Sequence, residues 1–238
     1  MQLTGSRKTL KRRVDELRQA LSGSCSSEDS RLGEALSYPY QWATEYTKTY
    51  NEHWADEGRP SPYEPFPQRL PYLKPLFEIF EQERIIWIVK SRDMMISWAC
   101  LAYFTWKAMT TPLCGSVIQT QKEKKVIQLI DYAKCLYRRQ PLWLQDAIPL
   151  AKPLANQAEL EFLFANGSYL VGIPGGADQI RSYHPWGYLN DESSFQPEAG
   201  NCYDQALSVV KGKIIFNSSA GPGWYADARR DIVRGEEE

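Results

Sequence analysis

From Ile85 to Val89 five apolar residues run without a break, and after a polar interruption Trp98 to Met109 is apolar nearly all round. The first run is short and continuous, which suits a strand buried on both faces of a parallel sheet. The second halts near Pro112 and reads as a helix with no solvent side. A strand, a polar loop and a buried helix in that order constrain the chain to an α/β fold.

The rhythm repeats downstream. Gly115 to Thr120 is a second candidate strand, and Val126, Leu129, Ile130, Ala133 and Tyr137 share one face of a following helix. Leu160 to Phe164 and Ser168 to Ile173 flank Ala165-Asn166-Gly167, where Asn-Gly signals a hairpin. A strand at Trp186 to Asn190, a helix around Tyr203 to Val210 and a strand at Lys213 to Asn217 complete the alternation. It predicts a mostly parallel central sheet flanked by helices.

Upstream, Leu10, Val14, Leu17 and Leu21 mark a short amphipathic helix over residues 7 to 21. Ser22 to Ser30 is expected to be a flexible linker, and residues 34 to 82, rich in Tyr, Trp and Pro, to form irregular helices over one side of the core. The expected division is residues 1–33 as helix and linker and 34–238 as one globular unit. With 43% hydrophobic and 13% aromatic residues in 238, the chain has enough apolar mass for one sizeable core.

Composition excludes several classes. No apolar run reaches the ~20 residues that span a bilayer, and the basic start has no apolar stretch behind it, so a soluble, intracellular protein is expected. Five scattered cysteines with no CxxC pair, and only His53 and His184, argue against a disulfide framework and against a metal held by nitrogen or sulfur. A formal net charge of -1 lacks the field of a free-standing DNA-binding module; contact with nucleic acid would need a local patch or several subunits.

The loop of the strand-loop-helix unit reads Lys90-Ser91-Arg92-Asp93-Met94-Met95-Ile96-Ser97. Against GxxxxGK[ST], Lys90 replaces the first glycine, Met95 the second and Ile96 the lysine, a poor match that an ordinary strand–helix turn also explains. The physical needs of a phosphate cradle are backbone N–H groups at a helix start, a nearby cation and a hydroxyl for Mg²⁺. Lys90 or Arg92 supplies the cation and Ser97 the hydroxyl; Met95 stands where a left-handed backbone favours glycine.

A later strand ends in Asp191-Glu192. In phosphoryl-transfer ATPases such a pair holds Mg²⁺ and polarises the attacking water, although a solvated turn shows the same letters. A third strand ends Asn217-Ser218-Ser219-Ala220-Gly221. Three polar strand ends are expected on one edge of the sheet, where such folds bind ligands.

With these residues in view, the chain resembles the ATPase domain of phage terminase large subunits. Lys90 to Trp98 is similar to that family's deviant phosphate loop, K-x-R-Q-x-G-[IV]-[ST]-W, with Asp93 in place of Gln and Met95 in place of Gly. Gly175-Gly176 with Ile180-Arg181-Ser182, then Asp191-Glu192, then Ile214 to Ala220 are similar to its I-R-G, acidic and coupling segments, and the resemblance covers roughly residues 70 to 225. The resemblance implies a P-loop NTPase of the additional-strand catalytic-glutamate type that uses ATP and Mg²⁺ to drive double-stranded DNA into a procapsid. The implied partners are the portal protein, the small terminase subunit and further copies in a ring, with a monomer in isolation; the implied place is the host cytoplasm.

By the same resemblance Lys90 through Ser97 would bind nucleotide, Ser97 and Asp191 would hold the metal, Glu192 would be the base, and Ser218 and Ser219 would couple hydrolysis to movement. Arg181 in cis or Arg139 (or Arg138) from a neighbour would serve as arginine finger, and Gln68 is the one candidate adenine contact. The chain stops at Glu238, so the family's nuclease domain is expected to be absent. Two other readings remain open: a helicase-like P-loop ATPase, and a degenerate P-loop domain that binds a partner without turnover.

Overall fold

The computed structural model describes residues 27–235, so the helix expected at 7 to 21 lies outside the described residues. The Ser-rich stretch departs from expectation where it is described. Ser27–Ala35 is helical (α1) and Leu32 packs on the core. After α2 (Pro39–Gln41) and a π-helical turn (Trp42–Tyr46), residues 48 to 65 form an antiparallel hairpin of β1 (Lys48–Tyr50) and β2 (Tyr63–Pro65). The helix α3 (Leu73–Gln82) then leads into the sheet.

The α/β alternation holds along the rest of the chain: β3 (Ile85–Lys90), α4 (Ile96–Thr110), β4 (Gly115–Thr120), α5 (Glu123–Arg138), α6 (Leu142–Ala147), β5 (Glu161–Leu163), β6 (Tyr169–Pro174), α7 (Asp178–Arg181), β7 (Gly187–Asp191), α8 (Ala199–Val209), β8 (Lys213–Ser219) and α9 (Trp224–Gly235). The six-stranded sheet runs β3-β8-β7-β4-β6-β5. Only β5 is antiparallel, paired to β6 through the Asn166-Gly167 turn, where Gly167 takes φ 82°. The strand β8 thus stands between the strand that precedes the Lys90 loop and the strand that ends in Asp191, as the additional-strand class of P-loop fold requires.

Strand side chains alternate between faces, and two apolar layers result. Ile118, Leu170, Leu189 and Ile215 face α3, α4 and α5, whereas Val117, Val171, Tyr188, Ile214 and Phe216 face α7, α8 and α9. The helix α4 is buried almost all round, as its sequence predicts. One expectation fails: among the described residues β3 pairs only with β8 and is an edge strand, with Val89 40% exposed. Its apolar run is explained by packing instead, since Trp87 stacks with Phe216 and Tyr225, and the Tyr225 hydroxyl donates to Ile88 O at 2.8 Å.

Gly187 sets where α4 lies. A Cβ there would come within 2.5 Å of Phe104 Cε1 and 2.7 Å of Ser116 Oγ, so only glycine lets helix and strand approach so closely. From Phe104 back to Ser97 is about 10 Å of helix, and from Gly187 on to Asp191 about 13 Å of strand. The antiparallel run of helix against strand therefore carries Ser97 to Asp191. Among the described residues no helix is long and apolar enough to cross a membrane.

Candidate functional site

The polar ends of β3, β8 and β7 lie side by side at one edge of the sheet: Lys90 is in register with Ser219, and Asp191 with Asn217. A parallel sheet presents its carboxyl ends together, and ligands of such folds bind there.

The loop between Lys90 and Ser97 has the backbone of an anion cradle. Asp93 and Met95 both take left-handed conformations, with φ of 59° and 54°. Met95 adopts the conformation its side chain disfavours, at a cost of roughly 1–2 kcal/mol for an L-residue. The first helical hydrogen bond runs from Ala99 N to Met95 O at 3.0 Å, which leaves the amides of Ile96, Ser97 and Trp98 free of the ladder at the positive end of a 15-residue helix. Ser91, Arg92 and Asp93 are exposed, Lys90, Met94, Met95 and Ser97 are half-buried, and the Ile96 side chain is core, so Ile96 can meet a ligand only through its backbone.

Ser97 Oγ donates to Asp191 Oδ2 at 2.9 Å, and Asn217 Nδ2 reaches Asp191 Oδ1 at 2.5 Å and Ser97 Oγ at 3.4 Å. Burial pushes the Asp191 carboxyl above its ordinary range; the Ser97 bond, the Lys90 charge and the Asn217 bond pull it back, while neighbouring Glu192 pushes the same way as burial. Two buried polar atoms in the residues beside Asp191 have no hydrogen-bond partner among the described residues: Asn217 Oδ1 on β8, and Thr120 Oγ1, one residue beyond the β4–β7 register. The Ser97 hydroxyl and the Asp191 carboxylate, in contact with each other, are oxygen donors of the kind that Mg²⁺ takes, and the adjoining Asn217 side chain has an unspent amide oxygen.

Glu192 is half-buried and also left-handed, with φ 59°. Five non-glycine residues among those described have positive φ, and three of them, Asp93, Met95 and Glu192, sit in these two turns. Strain concentrated in this way marks a place where geometry is held for use.

A cleft of about 600 Å³ opens on the loop side, walled by Lys90 and Asp93 to Trp98 and, opposite, by the β1–β2 hairpin and Pro67, Arg69 and Leu70. Asp191 and Glu192 do not line it; Ser97 is the residue that joins the cleft to the acidic pair. Gln68 also stays out of this wall, its amide donating to Thr44 O at 3.4 Å.

The remaining sequence candidates lie elsewhere or act through backbone. Arg181 is exposed on α7 and bonds Gln205 of α8. Arg139 places its guanidinium 3.4 Å from the Tyr63 ring centre, an engagement within the chain. Ser218 Oγ accepts from Ser194 N at 3.0 Å, and Ser219 O accepts from Ser194 Oγ at 3.1 Å, so both bond the turn that follows Glu192.

Sequence reasoning placed Asn217 on the polar edge without a role and missed Tyr72. The register of β7 and β8, which pairs Asn217 with Asp191, is the signal that finds the first; it is a tertiary fact. Tyr72 donates its hydroxyl to Met94 O at 3.0 Å and anchors the loop from outside the α/β unit, with no local pattern to announce it.

No protein-family model matches the sequence, and no curated protein matches it. Among solved structures the chain is similar to the large terminase of the HK97 bacteriophage, with a TM-score of 0.59 at 8% identity, covering 85% of this chain and 42% of that one. It is also similar to the large terminase ATPase domain of Thermus phage P74-26, with a TM-score of 0.44 at 14% identity, covering 60% and 62%. The chain spans less than half the length of the HK97 protein. Over the matched residues its architecture, six strands with β8 between the loop-bearing and acid-bearing ones, has the fold of the HK97 large terminase.

Proposed function

We propose that the chain is the ATP-hydrolysing domain of a viral DNA-packaging motor. The observation that carries the reading is the 2.9 Å contact between Ser97 Oγ and Asp191 Oδ2, which joins a strained, amide-rich loop to an acidic strand end across the additional strand. Lys90 and Arg92 hold phosphate charge, and the free amides of residues 96 to 98 bind phosphate oxygens at the helix start. Ser97 and Asp191 hold Mg²⁺ with Asn217 beside them; when bound, the ion neutralises charge on the phosphates.

Glu192, next in chain and half-buried, orients the attacking water and takes its proton. Ser218 and Ser219, bonded to Ser194, link the end of β8 to the turn that carries Glu192, which suits a strand that senses hydrolysis. Arg181 and Arg139 serve as charge donors to the transferring phosphate only after leaving Gln205 and the Tyr63 ring. Residues 34–238 act as the motor unit, and double-stranded DNA, a portal protein, a small terminase subunit and a homo-oligomeric ring complete the machine in the host cytoplasm.

The test is phosphate release from Mg²⁺-ATP by the 238-residue chain, with Glu192→Gln alongside. Release that disappears in the variant while nucleotide still binds supports the reading; binding without release in the parent chain assigns it to a non-hydrolysing role. Stimulation by portal and procapsids separates packaging from helicase-like activity.

A further inference from the structure

Behind the acidic pair, on the sheet face opposite α4, lies a row of buried polar side chains that the phosphate and metal chemistry leaves unused. Side chains alternate along strands, so Asp191 and Asn217 meet Ser97 on one face while Gln119, Tyr188 and Asn190 fall on the other, among α7 and α8. They bond in series. Gln119 Nε2 donates to Gly176 O at 2.9 Å, the Tyr188 hydroxyl donates to Gln119 Oε1, and Asn190 Nδ2 donates to the Tyr188 oxygen at 2.8 Å. Gln196 Nε2 closes the series, donating to Asn190 Oδ1 at 2.8 Å and to Asp191 O at 2.7 Å.

All four side chains are more than nine-tenths buried. Apolar residues of similar size would fill this space without the desolvation that buried amides and a phenol incur. A fully bonded polar network does what apolar packing cannot: it admits one arrangement of its ends. One end is the peptide between Asp191 and Glu192, whose carbonyl Gln196 grips. Ser193 Oγ, donating to Asn190 Oδ1 at 2.7 Å, ties the residue after Glu192 to the same amide. The other end is the Gly175-Gly176 loop, where Gly176 takes φ 118° and the next amide, Ala177 N, donates to Glu198 Oε2 at 3.2 Å.

We propose that the Gln119–Tyr188–Asn190–Gln196 series is a positioning relay that holds Glu192 in its left-handed turn and ties that turn to the Gly175-Gly176 loop. Its members are positioning residues, and the proposal rests on the reading of Glu192 as the base. The relay aims the Glu192 carboxylate before nucleotide arrives, and it makes the loop leading to Arg181 respond to any movement of the acid turn.

The test uses the 238-residue chain with Tyr188→Phe, which removes one hydroxyl from the middle of the series and keeps the ring, and Gln196→Leu, which frees the Asp191 carbonyl. Each variant should lower kcat for ATP by about tenfold or more, as small misplacements of reacting groups do, with KM and the affinity for a fluorescent ATP analogue within about twofold. Amide hydrogen exchange should rise in Tyr188→Phe at both residues 191–194 and 175–177. Unchanged kcat in an active parent overturns the relay, and so does a fall in kcat that merely follows a lowered Tm with exchange raised throughout. If the parent releases no phosphate, the assignment of Glu192 fails on its own, and the exchange pattern alone decides: coupled protection at the two segments supports the relay, independent protection overturns it.

Discussion

The two turns that meet at Ser97 and Asp191 are built in opposite ways. The Lys90–Ser97 loop is strained and open: three of its side chains are exposed, and it is anchored from outside chiefly by the Tyr72 bond to Met94 O. The Asp191–Gln196 turn is strained and wired: Asn190, Asp191, Ser193 and Gln196 are buried in a shared network. A loop that must wrap a phosphate chain gains from adaptable amides, whereas an acid that must aim at a reacting atom gains from a rigid mount. The contrast predicts that changes in the first turn act on binding and changes in the second on turnover.

The largest effect is expected at Glu192. Glu192→Gln should lower phosphate release by about 10²–10⁴-fold, the range of a lost general base, with binding of an ATP analogue unchanged by fluorescence titration. Equal losses in both quantities would erase the contrast. On the other turn, Lys90→Ala removes a charge-assisted contact worth about 1.5–3 kcal/mol. It should weaken analogue binding by about 10–100-fold while kcat at saturation falls less.

Asn217→Ala sharpens the comparison from the stability side. It strips the bond to a carboxylate that stays buried, which should cost about 1–3 kcal/mol in urea unfolding. The equivalent cut at the open loop, Tyr72→Phe, should cost less than about 1.5 kcal/mol.

Asp191 also gives the fold a pH signature. Its folded carboxyl titrates above the ordinary value, so between the unfolded and folded values the native state holds the extra proton. Its contribution to stability is therefore present at low pH and is lost as pH rises from the usual carboxylate range through the raised value. Asp191→Asn should flatten that part of the Tm-against-pH curve of the nucleotide-free chain; an unaltered slope would remove Asp191 as its source.

The smallest effect is expected at Met95. Met95→Gly relieves roughly 1–2 kcal/mol of left-handed strain, loses roughly 0.5–1 to chain entropy and gives up the packing of the half-buried Met95 side chain on the core, so the net change should stay within about 1 kcal/mol. In a chain of this size that is a shift in Tm of no more than about 4 °C.

Much of the fold was legible because its signals are local. The Ile85–Val89 run, the all-round apolar α4 and the Asn166-Gly167 turn each declare themselves within a few residues. The β1–β2 hairpin was not, since three-residue strands across a long connection carry no usable period. Nor was the edge position of β3: an apolar run reports burial of faces, which aromatic stacking by Trp87 supplies here, and says nothing of how many strands pair with it. At the site, residue types and order pointed to Lys90, Ser97 and Asp191, but Asn217 and the Gln119–Gln196 series depend on strand register and on face, which a linear pattern leaves open. Met95 shows the converse. A propensity argument ruled against its conformation, and tertiary packing overrode it.

The most direct measurement is a structure of the chain with Mg²⁺ and a slowly hydrolysed ATP analogue. The account predicts triphosphate against Lys90 and the amides of residues 96 to 98, with the cation between Ser97 and Asp191. Nucleotide seated instead in the adjoining cavity between α5 and the hairpin, with the Ser97–Asp191 hydrogen bond intact, would contradict it.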